Sequence, residues 1–235
     1  MTGRIEKIFT ENGGRFLRSV DELSEKVNHV KAFLFDWDGV FNAGIKTQES
    51  GSPFSEVDSM GLNLIRLSYW LKNGKFPFVG IITGQNNPTA VHLAKREHFD
   101  AVYSGFLNKK DALEHLEKQY KITGKQIAFV YDDVLDLSIA SKASLRFMPG
   151  RKSNPLFREF VKTNDLCDYI SANDGGNHAI REISELVCAF MGNFEETIKC
   201  RIDFGEKYRK YLEGRNKTEV AFYSIREGKV VPEIK

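Results

Sequence analysis

Short apolar runs recur along the 235-residue chain, separated by stretches in which apolar and polar residues alternate with a helical period. The runs are "VKAFLF" closing at Phe35, "FVGIIT" (78–83), "DAVYS" (100–104), "IAFVY" (127–131) and "LRFM" (145–148), with a shorter sixth, "DYIS", at 168–171. Each is too short for a helix and is nearly continuous in apolar character, as a strand buried on both faces requires. Between them, "MGLNLIRLSYWLKNG" and "KKDALEHLEKQYKITG" read as amphipathic helices, each stopping at a glycine that can take the left-handed C-cap conformation. This alternation predicts an α/β fold with a doubly wound, Rossmann-like parallel sheet. The segment 40–57, "VFNAGIKTQESGSPFSEV", has scattered glycines and short alternation, which predicts a small protruding β-hairpin insertion. It is too short to be a large cap domain.

The ends differ in character. The pattern divides the chain into an N-terminal helical extension at 1–29, a main domain at 30–191 and a C-terminal extension at 192–235. The first segment reads as one charged helix and residues 193–214 as another, while "TEVAFYSIREGKVVPEIK" is expected to add a hairpin or a docking arm.

Composition narrows the functional classes. Thirty-four basic and 32 acidic side chains leave a formal charge of +2, so no global field points to a nucleic-acid partner. Cys167, Cys188 and Cys200 are odd in number and form no C-x-x-C pair, which fits structural cysteines in a reducing compartment. No run resembles a secretion signal or reaches the length of a membrane span, so the expectation is a cytoplasmic protein with no membrane partner.

In a doubly wound sheet the working residues lie beyond the carboxyl ends of the strands. "DWDG" (36–39) follows the first run, "TGQNN" (83–87) the second and "DD" (132–133) the fourth. Alone, "DWDG" is equally an Asx-turn leaving a strand. With Asp132, Asp133 and Asp136 it makes a carboxylate density that needs a cation, and Mg²⁺, which takes oxygen ligands from one or two carboxylates, suits Asp36 and Asp132. Asp36 could attack phosphorus as a carboxylate nucleophile, and Asp38 could serve as general acid and then base. Thr83 offers a hydroxyl and a main-chain N–H for a phosphoryl oxygen. The charge argument demands a cation near these carboxylates and does not say which one, leaving Lys109 and Lys110 both open.

Together these segments resemble the haloacid dehalogenase-like hydrolase superfamily, and within it the phosphatases acting on 3-deoxy-D-manno-octulosonate 8-phosphate. The resemblance runs through "FLFDWDGVFNAG", "FSEVDSMGLNLIRL", "ITGQNNPTAV", "YSGFLNKKDAL", "YDDVLDLSIA" and "DYISANDGGNHAIREISELV". It implies a Mg²⁺-dependent phosphomonoesterase with Asp36 as nucleophile, Asp38 as acid/base, Thr83 as phosphoryl clamp and Lys109 as charge neutraliser. Asp36, Asp132 and the main-chain carbonyl of Asp38 would hold the metal, oriented by Asp133 and Asp136. Gly84 and Arg181 would contact a small phosphorylated sugar acid, and the protein would be a homotetramer; His178, in the glycine loop, is a further candidate for substrate contact, the alternative being a loop histidine bonded locally to backbone. The chain departs from the family pattern at Trp37, Asp58-Ser59, Gln85, Tyr131 and His178, positions expected to shape the pocket. A phosphatase for a neutral phosphosugar and a catalytically weak scaffold or regulatory subunit are the competing readings.

Overall fold

The computed structural model describes residues 2–46 and 51–234. Its elements are α1 (Thr2–Glu11), β1 (Arg15–Phe16), α2 (Val20–Lys26), β2 (Ala32–Phe35), α3 (Glu56–Asn73), β3 (Phe78–Thr83), α4 (Pro88–Glu97) and β4 (Ala101–Ser104). These are followed by α5 (Lys109–Tyr120), β5 (Ile127–Val130), α6 (Leu137–Ala140), β6 (Leu145–Met148), α7 (Pro155–Thr163) and β7 (Tyr169–Ile170). The chain continues through α8 (Ala179–Met191), α9 (Phe194–Asp203), α10 (Glu206–Arg215), β8 (Ala221–Arg226) and β9 (Lys229–Glu233).

All six apolar runs contribute strands. One sheet takes the order β1-β7-β6-β5-β2-β3-β4-β8-β9, parallel throughout except for β1 against β7 and β9 against β8. Side chains alternate across it, because successive Cβ atoms point to opposite faces. Phe33 and Phe35 of β2 pack with α3, α4 and α8, whereas Ala32 and Leu34 face α5, α6 and α7. Both faces are thus covered, which is why the central strands carry no polar alternation. No large domain is inserted among the described residues.

Several local expectations are corrected. The first long helix stops as expected at Gly74, whose φ is 67° and whose N–H donates to the Trp70 carbonyl at 2.8 Å. The helix before Gly124 instead ends at Tyr120, with Lys121 left-handed at φ 57°. Gly124 opens the next turn, where Thr123 and Gln126 cap one another. The N-terminal segment is two helices separated by β1, which pairs with the sheet edge. The expected helix at 193–214 breaks at Phe204, itself left-handed at φ 48°, to give α9 and α10. The tail does form a hairpin, turning at Glu227-Gly228 with φ of 51° and 72°, and β8 joins the sheet beside β4.

The expected hairpin at 40–57 is not seen among the described residues: Val40–Lys46 and 51–55 form turns and irregular backbone, and Glu56 already opens α3. Thr47–Ser50, its expected tip, lie outside the described residues. The three cysteines are free, with Cys167 and Cys188 buried.

Candidate active site

Asp36 is the first residue past β2, and its N–H still donates to the Val130 carbonyl of β5 at 2.9 Å. The strand alternation continues beyond it. Trp37 stays in the core with Phe35, stacked on Phe41 at 4.9 Å, so Asp36 and Asp38 fall on the other side of the chain, where both line a cavity of about 330 Å³. Trp37 therefore does not crowd Asp36, contrary to expectation. Gly39 turns the chain at φ 84°, and a Cβ there would overlap the Asp132 carboxylate. The glycine loop ahead of α8 closes against the same turn: a Cβ on Gly175 would overlap the Gly39 carbonyl.

The same cavity receives Thr83 and Gly84 from the end of β3, Lys109 from the first turn of α5, and Asp132, Asp133 and Asp136 from the segment after β5. Lys109 is buried, with Nζ 2.5 Å from Asp36 Oδ1 and bonded also to Asp136. Burial opposes its charge, but the two carboxylates outweigh burial and raise its pKa. Lys110 points away, 65% exposed and 3.4 Å from Glu114, so geometry makes the choice that charge alone left open. Asp133 caps the turn that follows it, accepting from Val134 N–H at 2.7 Å, while its own N–H donates to Asp136 Oδ2 at 3.1 Å. That turn aims Asp136 at Lys109.

Asp36, Asp132 and Asp136 are all buried, with one carboxylate oxygen from each lying within 4.8 Å of the others. Burial pushes the pKa of Asp36 well up, with the Asp136 charge adding and Lys109 opposing. Burial likewise pushes Asp132 to about 7 against the opposing Arg151 charge. Such carboxylates are costly to ionise until a cation arrives. Their all-oxygen donor set suits a hard divalent ion, so the residues present fit Mg²⁺.

Asp38 differs from its neighbours. Ser52 Oγ donates to its Oδ1 at 2.6 Å, and Asn87 Nδ2 and Lys46 Nζ reach its Oδ2 at 3.0 and 2.7 Å. Burial works against ionisation here too, but these three donors outweigh it and lower the pKa. The same Asn87 amide donates to Thr83 Oγ1 at 2.9 Å, tying the acid/base candidate to the clamp candidate. Lys46 also donates to Gln85 Oε1 at 3.1 Å. Sequence reasoning missed Lys46, Ser52, Asn87 and Arg151. Arg151 follows β6, so the strand-end rule pointed to its position; Lys46 and Ser52 come from an insertion with no regular pattern.

Arg181 and His178 do not line this cavity. They border another of about 540 Å³, with Ile8, Phe9 and Glu182. Arg181 is paired with Glu185 at 2.7 Å, and His178 Nδ1 lies 3.2 Å from Ser55 Oγ. Of the departures expected to shape the pocket, only Gln85 lines it. Tyr131 is buried on the other face of the sheet, donating to the Leu166 carbonyl at 2.7 Å, and Asp58 is buried between α3 and α8, accepting from the Arg181 N–H at 3.0 Å.

No family model matches the chain. In sequence it is similar to the 3-deoxy-D-manno-octulosonate 8-phosphate phosphatases KdsC of Escherichia coli (strain B / BL21-DE3), at 24% identity over 74% of this chain and 88% of the relative, and of Haemophilus influenzae, at 22% over 72% and 89%. In structure it is similar to the 3-deoxy-D-manno-octulosonate 8-phosphate phosphatase of Moraxella catarrhalis, solved with a magnesium ion, a phosphate ion and a KDO molecule. The TM-score is 0.64, with 28% identity over 76% of this chain and 97% of that one. A subfamily III A hydrolase structure from Legionella pneumophila shares the fold at a TM-score of 0.64, covering 78% of this chain and 95% of that one. The resemblance to haloacid dehalogenase-superfamily hydrolases of the KdsC type is borne out in both sequence and fold.

Proposed function

We propose that this chain is a Mg²⁺-dependent phosphomonoesterase that hydrolyses a small phosphorylated sugar acid, a 2-keto-3-deoxy sugar acid phosphate, through an aspartyl-phosphate intermediate. The observation that carries the reading is the convergence of Asp36, Asp38, Thr83, Lys109 and Asp132 from three separate strand ends and one helix start on one cavity. The Moraxella catarrhalis structure, with its magnesium, phosphate and KDO, supports the metal and substrate class.

Each residue then has a defined task. Lys109 holds Asp36 Oδ1, leaving the second oxygen to attack phosphorus and form the acyl phosphate. Thr83 and the Gly84 backbone receive a non-bridging phosphoryl oxygen. Asp38, ionised at rest by its three donors, gains proton affinity beside the negatively charged phosphate and takes up one proton from solvent as the substrate binds. It protonates the alcohol oxygen as the P–O bond breaks, then takes a proton from the water that attacks phosphorus, which frees inorganic phosphate and regenerates Asp36. Asp36, Asp132 and the Asp38 carbonyl would hold the magnesium ion, with Asp133 and Asp136 orienting the carboxylates. When bound, the ion supplies neutralising charge for the phosphoryl oxygens.

The proposed assembly is a homotetramer formed through the 40–57 insertion, and Arg181 and His178 contribute substrate contacts only through a neighbouring copy. The substrate reading is tested by comparing kcat/KM for eight- and nine-carbon keto-sugar-acid phosphates with that for neutral hexose phosphates, in Mg²⁺. The sugar acids are expected to lead and Asp36→Asn to abolish phosphate release. A tenfold lead for neutral sugars, about 1.4 kcal/mol, defeats carboxylate recognition. No turnover across the panel defeats the enzyme reading.

A further inference from the structure

Three basic side chains line the acidic cavity. Lys109 is engaged by Asp36 and Asp136, and Lys46 by Asp38 and Gln85. Arg151 engages Asp132: its Nη1 lies 2.8 Å from Oδ2. Its second terminal nitrogen, Nη2, is buried with no hydrogen-bond partner. A Cβ on Gly39 would overlap both that nitrogen and Asp132 Oδ2, so carboxylate, guanidinium and the Gly39 backbone converge at one point.

That point is a face of the carboxylate cluster that suits a divalent ion. We propose that Arg151 is the resident counter-cation of this metal site: it holds Asp132 when no ion is bound, and a divalent ion enters only as the guanidinium leaves. The inference rests on the reading of Asp132 as a metal ligand. A guanidinium cannot yield by losing a proton, so it yields only by moving. The backbone of Arg151 is fixed, with its N–H on the Pro149 carbonyl at 2.9 Å and its own carbonyl accepting from Arg158 at 3.1 Å, so the movement is a side-chain rotation. The side chain is 28% exposed, which gives it a route outward. No protein group accepts from Nη2, so the hold on the guanidinium is the ion pair with Asp132.

Two consequences distinguish this role from a purely structural ion pair. Magnesium affinity is set by competition, so removing the competitor tightens it; and the metal-free protein relies on Arg151, so removing it makes stability more dependent on metal. Isothermal titration of Mg²⁺ into the full chain without substrate reads the first. Arg151→Gln and Arg151→Leu are each expected to lower Kd at least threefold, with Arg151→Lys closer to the wild type, and thermal melts in chelator are expected to fall for Gln and Leu and to recover with Mg²⁺. An unchanged or higher Kd in the folded variants overturns the proposal. A crystal structure of the wild type with Mg²⁺ gives a test that depends on no variant: a guanidinium rotated off Asp132 is expected, and one still bonded there beside the ion overturns it. Asp132→Asn controls the premise, since Mg²⁺ binding that survives it removes both the ligand assignment and the proposal. Tighter binding in the Gln variant with no phosphomonoester hydrolysed by the wild type would sustain the counter-cation role and defeat the phosphatase reading.

Discussion

Lys109→Ala and Lys110→Ala change adjacent residues of the same type with opposite surroundings. Lys109 is 3% exposed and bonded to two buried carboxylates, whereas Lys110 is 65% exposed beside Glu114. Removing Lys109 leaves Asp36 and Asp136 facing one another without their shared cation. Breaking a buried ion pair from one side costs about 3–5 kcal/mol, because the remaining charge is uncompensated. An exposed i,i+4 pair contributes little. Chemical denaturation in chelator is therefore expected to show a loss of that order for Lys109→Ala and almost none for Lys110→Ala. Mg²⁺ should recover part of the loss, since a divalent ion neutralises the same cluster. In turnover, loss of a preorganised cation at the phosphoryl group is expected to cost roughly 10²–10³-fold in kcat, again with Lys110→Ala near wild type. Equal effects from the two variants, or a larger one from Lys110→Ala, would refute the reasoning from burial and charge.

Other outcomes follow from single contacts. Asp58 is fully buried, with one oxygen on the Arg181 N–H and the other unpartnered, and burial pushes its pKa to about 6. A raised carboxyl pKa means that the folded state binds the proton more tightly, so this contribution to stability is present at low pH and is lost as pH rises from about 4 to about 6. The stability of wild type minus Asp58→Asn should accordingly fall by about 3 kcal/mol between pH 4 and 7 in urea titrations, and a flat difference would count against it. Because Asp132 sits near 7, Mg²⁺ binding should release protons around pH 6 and weaken as pH falls, measurable as heats that differ between buffers of unlike ionisation enthalpy. Asn87→Ala removes the donor shared by Asp38 and Thr83 and should lower kcat by roughly 10- to 100-fold with a smaller change in KM. Sedimentation equilibrium at micromolar concentration should give four times 26.8 kDa; a monomeric mass would remove the proposed assembly and with it the route by which Arg181 reaches substrate.

The central strands were legible because burial on both faces writes them as uninterrupted apolar runs, and the acidic cavity was legible because the motifs stand where those runs end. The ends were not. The two residues of β1, Arg15 and Phe16, form a strand only by pairing with β7, a tertiary contact that leaves no local pattern. The break at Phe204 interrupts a charged stretch that is helical on either side. Trp37 and Tyr131 were expected at the pocket from their closeness in sequence to the aspartates. Extending the two-residue period from Phe35 to Trp37, and from Phe129 to Tyr131, assigns both to the core, where the structure has them. Arg151 and Lys46 carry no motif; only the fold brings them to Asp132 and Asp38.

The central claim is that Asp36 becomes covalently phosphorylated. Its most direct test is a single turnover in Mg²⁺ with a radiolabelled keto-sugar-acid phosphate, quenched in acid, reduced with borohydride and analysed by peptide mass spectrometry. The predicted result is acid-stable label on the quenched protein that borohydride releases as phosphate, leaving a reduced side chain, homoserine, in place of Asp36 in its peptide, with neither seen in Asp36→Asn. Turnover with no trapped adduct, or a reduced side chain at any other residue, would contradict it.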